Sequence, residues 1–259
     1  MKVLITGGNG YIAQSLAKGL SSFPYDITCI TRKDFDLTDK EATDKWFQKT
    51  PYFDVVIHTA IKGGSRLKQD NGEVCYKNIQ MFQNLIYNRN NFGKLIQFGS
   101  GAELGQPTNP YGLSKKIIND LCGPEVGFYN IRIFSVFDEN ELDTRFIKSN
   151  IKRYLNNEDL YVFAEKKMDF FYMKDLIKLV NYYIENNNPP KTIDCTYSTS
   201  PFLTQIASLI SDQGNSRRRI RQEWIGDFPP YSGKFTDLGL EYIGLEQGIK
   251  EVYNKLKLN

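Results

Sequence analysis

The sequence predicts an α/β fold, with a doubly wound parallel sheet and a small C-terminal lobe. Two observations lead to this prediction. Apolar runs of strand length alternate with segments of helical spacing through the first half of the chain, so consecutive strands need crossover connections and lie parallel. A glycine-rich turn at residues 6–13 also joins the first apolar run directly to the first helical segment, as in many folds of this class.

The first five strands and their helices follow from these periodicities. Lys2–Ile5 is an apolar run typical of a buried parallel strand, and Ile12, Leu16, Ala17 and Leu20 then recur at helical spacing. The same two patterns predict strands at residues 26–31, 54–57, 94–98 and 128–137, separated by helices at residues 40–49, 74–88 and 111–121.

The pattern becomes less regular after Asp143. It predicts helices at residues 146–155, 174–185 and 203–211, with strands near Tyr161 and at residues 192–196. We expect a core domain at residues 1–140 and a lobe at residues 141–259, interleaved with the last strands and helices of the core. Since ligands bind at the carboxyl ends of parallel strands, the lobe is expected to cap that crevice.

The composition is that of an ordinary enzyme domain. The 259 residues, 41% hydrophobic and 24% charged, can bury a sizeable core, and a formal net charge of +3 predicts neither a nucleic-acid nor a membrane partner. No apolar run approaches the length of about 18 residues that a membrane span requires. Cys29, Cys75, Cys122 and Cys195 lack metal-ligand spacing and His58 is the single histidine, so we expect a reduced, cytoplasmic and metal-free protein.

The glycine-rich turn is typical of a dinucleotide-binding site. Gly7 allows a sharp turn and a close approach to a pyrophosphate, while the following helix offers unpaired N–H groups and the positive end of its dipole. Gly10 and Ala13 are small enough to keep that helix close to the strand. The spacing Gly-x-x-Gly-x-x-Ala also fits an ordinary tight turn, but its position after the first strand favours nucleotide binding.

Ser100, Tyr111 and Lys115 are the candidate catalytic residues. A tyrosine and a lysine four residues apart share one helix face, so the Lys115 ammonium is expected to stabilise the Tyr111 phenolate and lower the pKa of the phenol from about 10. The phenol then exchanges a proton with a substrate oxygen that Ser100 also hydrogen-bonds. Each feature occurs on ordinary protein surfaces as well, and their combination with the glycine-rich turn favours catalysis.

Six segments occur in the order seen in one enzyme family: Thr6–Ala13, Asp36–Asp39, His58–Ala60, Phe98–Ser100, Tyr111–Lys115 and Asp169–Asp175. On these segments the chain resembles, over essentially its whole length, extended short-chain dehydrogenases/reductases of the NAD-dependent epimerase/dehydratase group. Members of this group act on sugar nucleotides. The resemblance implies a Rossmann fold with an NAD(P)-binding core, a substrate-binding lobe and a nucleotide-sugar substrate. Relatives often dimerise through helices like the one bearing Tyr111, so a homodimer is an open alternative to a monomer.

The resemblance also implies which residues bind the dinucleotide. Arg32 follows the second strand, where a guanidinium can bind the 2′-phosphate of NADP(H) and where NAD-selective relatives place an acidic residue. We therefore expect NADP(H). Two alternatives stay open: Arg32 and Lys33 are surface charges, or Asp34 serves the ribose hydroxyls of NAD. The implied cofactor-binding residues are Gly7, Asn9, Gly10, Tyr11, Ile12, Arg32, Asp36, Leu37, Thr59, Ala60, Lys62, Tyr111, Lys115 and Phe134.

Substrate contacts are also implied by the resemblance. Asn78 is expected to support the backbone of the site, and Glu103 to hydrogen-bond a sugar hydroxyl, with loop capping as the alternative role. Arg145 is expected near the diphosphate, with a surface ion pair as the alternative. The implied substrate-binding residues are Lys62, Gly63, Ser100, Gly101, Glu103 and Arg145.

The residues beside Ser100 bear on the reaction. Dehydratases of the family have an Asp-Glu pair two and three positions after the serine, whereas this chain has Ala102 and Glu103, so 4,6-dehydration is disfavoured. Reductases resembling GDP-fucose synthase use a cysteine at the position of Ala102 and a further histidine, yet residues 31–37 and 60–64 resemble that branch. We expect an NADP(H)-dependent reductase of a 4-keto group on a nucleoside-diphosphate sugar. An NAD-dependent 4-epimerase and a non-catalytic dinucleotide sensor are the alternatives.

Overall fold

The computed structural model describes residues 1–65, 68–224, 226 and 228–258. The chain forms two compact units, the first of residues 1–133 and 177–193, the second of residues 134–176 and 194–259. It leaves the first unit after Ile133, re-enters it within one helix and leaves it again after Ile193.

The first unit is built on a six-stranded parallel sheet, which confirms the predicted fold class. The strands are β1 Lys2–Thr6, β2 Asp26–Ile30, β3 Phe53–His58, β4 Phe92–Ser100, β5 Phe128–Ile133 and β9 Thr192–Cys195. Their order in the sheet, β2-β1-β3-β4-β5-β9, reverses direction at β1, which pairs in parallel with β2 and with β3. The helices that connect β1 to β5 are α1 Tyr11–Leu20, α2 Lys40–Lys49, α3 Gly72–Tyr87 and α4 Pro110–Cys122.

The second unit contains two two-stranded parallel sheets. Strand β6 Val136–Phe137 pairs with β8 Phe171–Tyr172, and β7 Leu160–Ala164 pairs with β10 Ile220–Trp224. Its helices are α5 Phe146–Leu155, α7 Leu203–Ser211 and α8 Leu245–Leu258, and α6 Met173–Glu185 leads back into the first unit. Within the described part of the chain, no helix has the length and apolar character needed to cross a bilayer.

The structure corrects the predicted strand at residues 128–137. This segment forms two strands, because β5 ends at Ile133 and Val136–Phe137 pairs with β8 in a different sheet. Apolar residues recur in both halves, so periodicity gives no sign of the change of partner. Strand β10 and helix α8 were not predicted. The long irregular segment between them hides the helical spacing of Ile249, Val252 and Tyr253, which α8 buries.

Aromatic side chains fill much of the core of the first unit. Phe82 on α3 is fully buried, with its ring centroid 6.2 Å from the His58 ring and 6.3 Å from the Phe128 ring. Leu4, Val56 and Leu95 belong to the same cluster, so the side chains of the central strands pack directly against α3. This packing fixes the position of α3 relative to the sheet.

Replacing Phe82 by alanine tests the importance of this core. We expect Phe82→Ala to lower the free energy of unfolding by about 3–5 kcal/mol, because it removes a fully buried ring and leaves a cavity. Tyr76→Ala is the matched control, since Tyr76 lies on the same helix with 64% of its surface exposed. Urea unfolding of both variants, followed by circular dichroism, is the measurement; equal losses would contradict the assigned packing.

Candidate active site

The turn after β1 requires glycine at position 7. Gly7 has φ +70°, and a Cβ atom there would lie 2.8 Å from Ala60 Cα and 2.9 Å from Ala60 N. A side chain would therefore both strain the backbone and collide with the segment that follows β3. The turn is closed by a hydrogen bond from the Gly10 amide to the Gly7 carbonyl, 2.8 Å.

The N-terminus of α1 carries no side-chain cap. The N-cap residue is Gly10, and no acidic residue lies in the first turn of the helix. Backbone N–H groups in this first turn have no partner inside the helix, and the helix dipole adds partial positive charge there. A close backbone approach at Gly7 and uncapped amides at the helix start fit a pyrophosphate group.

Thr6 ties the ends of β1 and β3 together. Its Oγ1 lies 2.9 Å from His58 Nδ1 and accepts a hydrogen bond from Ala60 N at 3.2 Å. The Thr59 hydroxyl donates to the Thr6 carbonyl at 2.6 Å. Burial, together with the charge of Lys115, lowers the pKa of His58 to about 3, so this histidine is a neutral structural residue.

A cleft of about 200 Å³ opens at the carboxyl ends of β1, β2 and β3. It lies where the strand order reverses, the usual place for a ligand in such sheets. Asn9, Tyr11 and Ile12, which were predicted to bind cofactor, form the turn and the start of α1 but are not among the lining residues. The lining residues are Thr6, Gly7, Gly10, Ile30, Thr31, Arg32, Phe35, Asp36, Leu37, Thr59, Ala60, Ile61 and Met81.

In the turn after β2, the carboxylates of Asp34 and Asp36 accept hydrogen bonds from residues of the same turn. Asp34 Oδ2 accepts hydrogen bonds from the amide of Thr31 at 2.7 Å and from its hydroxyl at 3.0 Å, which lowers the pKa of Asp34. Asp36 accepts equivalent bonds from Thr38, which lower its pKa in the same way. Arg32 is exposed and lines the cleft, and the charge of its guanidinium also lowers the pKa of Asp36.

Helix α4 positions Tyr111 and Lys115. Asn109 caps the helix by accepting a hydrogen bond from the Gly112 amide at 2.7 Å, and Pro110 occupies the first turn. The Lys115 ammonium is buried, donates to the Phe98 carbonyl at the end of β4 and lies 5.9 Å from the centroid of the Tyr111 ring. Burial lowers the pKa of Lys115 to about 8, partly offset by the negative charge of Glu103.

Ser100 begins the short 3-10 turn 101–103 after β4. Its hydroxyl accepts a hydrogen bond from the Ala102 amide at 3.2 Å, and its own amide donates to Glu103 Oε2 at 3.1 Å. These reciprocal bonds form a capping box. A Cβ on Gly112 would overlap the Ala102 carbonyl, so α4 approaches this turn as closely as a glycine permits. The structure thus brings the segments of all three predicted catalytic residues to the end of β4.

The Glu103 carboxylate points inward. Its Oε1 accepts hydrogen bonds from Arg132 Nε at 2.7 Å and Asn130 Nδ2 at 3.0 Å, and the whole residue is 4% exposed. This arrangement corresponds to the capping alternative for Glu103 rather than to contact with a sugar hydroxyl. Sequence reasoning missed Asn130 and Arg132, although polar residues inside an otherwise apolar strand were a visible signal.

The loop after β3 is anchored by Asn78 and Asp70. Asn78 accepts a hydrogen bond from the Lys62 amide at 2.8 Å and donates to its carbonyl at 3.0 Å, while Asp70 accepts one from the Gly64 amide at 3.0 Å. A Cβ on Gly64 would lie 2.7 Å from the Tyr111 ring, so this loop abuts the tyrosine. The predicted substrate residue Lys62 forms an ion pair with Glu73 at 2.8 Å.

Two predicted site residues belong to the second unit. Phe134 is buried there and packs edge-on against Tyr231, with ring centroids 5.4 Å apart. Arg145 is the N-cap residue of α5, and its charge acts on the buried carboxyl of Glu141. Burial raises the pKa of Glu141 to about 8, against the opposing effect of Arg145.

Residues 3–195 match the model of the NAD dependent epimerase/dehydratase family. One similar protein is the GDP-L-colitose synthase of Yersinia pseudotuberculosis, 23% identical over an alignment that covers 83% of this chain and 83% of that protein. The family match and the geometry of the first unit agree with a nicotinamide dinucleotide as the cofactor.

Solved structures show the same fold. A GDP-L-fucose synthetase from Naegleria fowleri bound to NADP is similar at a TM-score of 0.78 and 20% identity, covering 98% of this chain and 91% of that one. A UDP-glucose 4-epimerase with UDP-glucose from Thermotoga maritima is similar at a TM-score of 0.82 and 17% identity, covering 100% and 99%. At these identities the likeness establishes the fold.

Substitution of Gly7 tests the dinucleotide cleft. We expect Gly7→Ala to weaken the binding of NADPH and NADH by about tenfold or more, because the new Cβ displaces the Ala60 backbone that lines the cleft. Gly239→Ala is the matched control, since Gly239 has φ +69° but nothing within 4 Å of an added Cβ. Fluorescence titration measures both; equal affinities in the two variants would contradict the assignment.

Proposed function

Because the chain belongs to the NAD dependent epimerase/dehydratase family, we propose that it is an NADP(H)-dependent reductase of a 4-keto group on a nucleoside-diphosphate sugar. One observation favours simple reduction over the other reactions of the family. Beside Ser100, position 102 is alanine and the Glu103 carboxylate is bonded inward to Arg132. That turn therefore offers no second acid or base for removing water or for inverting a carbon next to the carbonyl.

The chemistry is assigned to Tyr111, Lys115 and Ser100. A reduced nicotinamide, when bound, would supply the hydride for the carbonyl carbon. Tyr111 donates its phenolic proton to the carbonyl oxygen, and the Lys115 ammonium stabilises the phenolate that remains. Ser100 donates a hydrogen bond to the same oxygen and so stabilises the charge that develops there. These roles are supported by the buried ammonium of Lys115 beside the Tyr111 ring.

NADP(H) is the proposed coenzyme, and the glycine-rich turn of the cleft would hold its pyrophosphate. The Arg32 guanidinium lines the cleft where a 2′-phosphate is expected, and a bidentate guanidinium–phosphate contact is strong. The carboxylates of Asp34 and Asp36 are hydrogen-bonded within their own turns. Each carboxylate accepts these bonds through one oxygen, so the preference for NADP(H) rests on Arg32 and not on the absence of an acceptor for a ribose diol.

A nucleotide-sugar 4-epimerase is the second candidate. It is favoured by the likeness in fold to a UDP-glucose 4-epimerase, at a TM-score of 0.82. Such a reaction uses the same phenol and hydroxyl, since it oxidises C4 and then reduces it from the other side. The two candidates differ in one respect: an epimerase regenerates its coenzyme within each turnover, whereas a reductase consumes it.

Replacing Arg32 tests the coenzyme preference. We expect Arg32→Met to weaken NADPH binding by about tenfold or more while NADH binding stays unchanged, because only NADPH has the 2′-phosphate that the guanidinium binds. Lys33→Met is the matched control on the same turn and is expected to have a much smaller effect. Calorimetric titration of both coenzymes is the measurement; an unchanged ratio of the two affinities in Arg32→Met would refute this role.

Replacing Tyr111 tests the reaction. With a panel of nucleoside-diphosphate 4-keto-sugars, the wild-type protein is expected to oxidise NADPH, and Tyr111→Phe to lose activity by about 100-fold or more while still binding NADPH. Tyr76→Phe, at an exposed tyrosine on α3, is the control for the loss of a hydroxyl. Mass spectrometry of the products separates the candidates: C4 interconversion without added coenzyme, with NAD retained after purification, would favour the epimerase.

A further inference from the structure

Glu103 is a buried carboxylate directly behind the candidate catalytic residues. Its side chain is 2% exposed, and its oxygens are bonded to Arg132, Asn130 and the amide of Ser100. A Cβ on Gly99 would lie 2.7 Å from Glu103 Oε2, so the carboxylate lies tightly against the backbone of β4. A carboxylate buried in this way is not available to bind a sugar hydroxyl.

Glu103 and Lys115 hold the same strand end. The Lys115 ammonium donates to the Phe98 carbonyl, and the Glu103 carboxylate accepts from the Ser100 amide two residues further on. Both charged groups are therefore bound to the backbone segment that ends at Ser100. The charge of Glu103 acts on Lys115 across this segment.

A buried ammonium needs a nearby anion to remain charged. Burial lowers the pKa of Lys115 to about 8, and Glu103 is the carboxylate whose charge opposes this effect. Among the other titratable groups that act on or face Lys115, His58 is neutral and Tyr111 contributes its ring. The Cys122 thiol, whose own pKa burial raises to about 12, raises the Lys115 pKa less than Glu103 does. Arg132 is a cation paired with Glu103 itself.

We propose that Glu103 is a positioning residue for the proposed reaction: it fixes the Ser100 backbone and keeps Lys115 in its ammonium form. This proposal rests on the catalytic roles given above for Ser100 and Lys115. Glu103 acts through these two residues and does not itself touch the substrate.

A direct titration of Lys115 tests the proposal without any coenzyme or substrate. In protein labelled with ¹³C at lysine Cε, the NMR signal that is missing from Lys115→Met belongs to Lys115. The wild-type pKa is expected at about 8. In Glu103→Gln we expect it to fall by about one unit or more, because the opposing charge is gone. An unchanged pKa would overturn the proposal.

Further variants complete this test. Asp120→Asn is the matched control, because Asp120 lies on the same helix but is 60% exposed and pairs with Lys116. It is expected to leave the Lys115 titration unchanged. If Glu103→Gln does not fold, the double variant Glu103→Gln/Arg132→Met removes both members of the Glu103–Arg132 pair, and its Lys115 pKa is compared with that of Arg132→Met, which removes the same cation. Equal Lys115 pKa values in these two variants would then overturn the proposal.

The pH dependence of the reductase activity provides a second test of the proposal. Since the rate requires the ammonium, the limb at which activity falls with rising pH is expected to move to lower pH in Glu103→Gln by the shift found for Lys115. A limb that does not move would contradict the link between Glu103 and catalysis. Absence of reductase activity in the wild-type protein would refute the proposed function instead, while the NMR titration still decides whether Glu103 acts on Lys115.

Discussion

The geometry of this site depends on one constraint, the burial of the Lys115 ammonium at the end of β4. An isolated charge in such a place is strongly unfavourable, so the surrounding groups must compensate for the lost water. The Phe98 carbonyl accepts its hydrogen bond, and the Glu103 carboxylate supplies the opposite charge. The same requirement explains two glycines near the site. Gly99 leaves space for the Glu103 carboxylate, and Gly112 leaves space for the turn that bears it.

A row of buried polar side chains crosses the sheet beside this lysine. Thr6, His58, Gln97 and Asn130 are in register on four adjacent strands and therefore share one face. Thr6 contacts His58, and Gln97 donates to Asn130 at 3.1 Å. A buried polar group costs free energy unless it is bonded, so such a row restricts how these strands can shift. The two bonded pairs lie between the turn of the dinucleotide cleft and the network around Glu103.

The strands and helices of the first unit could be predicted because parallel strands buried on both faces are continuous apolar runs. The i, i+4 spacing likewise placed Tyr111 and Lys115 on one helix face. The direction of the Glu103 side chain could not be predicted, since it is set by Asn130 and Arg132, nearly thirty residues away. Periodicity also cannot distinguish strand partners, and for that reason the end of β5 at Ile133 was missed.

The short turn after β2 has a consequence for any redesign of coenzyme preference. Thr31 holds Asp34 Oδ2 and Thr38 holds Asp36 Oδ1, so exchanging Arg32 alone leaves both carboxylates in the orientation that these bonds impose. Freeing either aspartate would cost the hydrogen bonds that shape the turn. A change in the proposed coenzyme preference therefore calls for redesign of the segment between β2 and α2 as a unit.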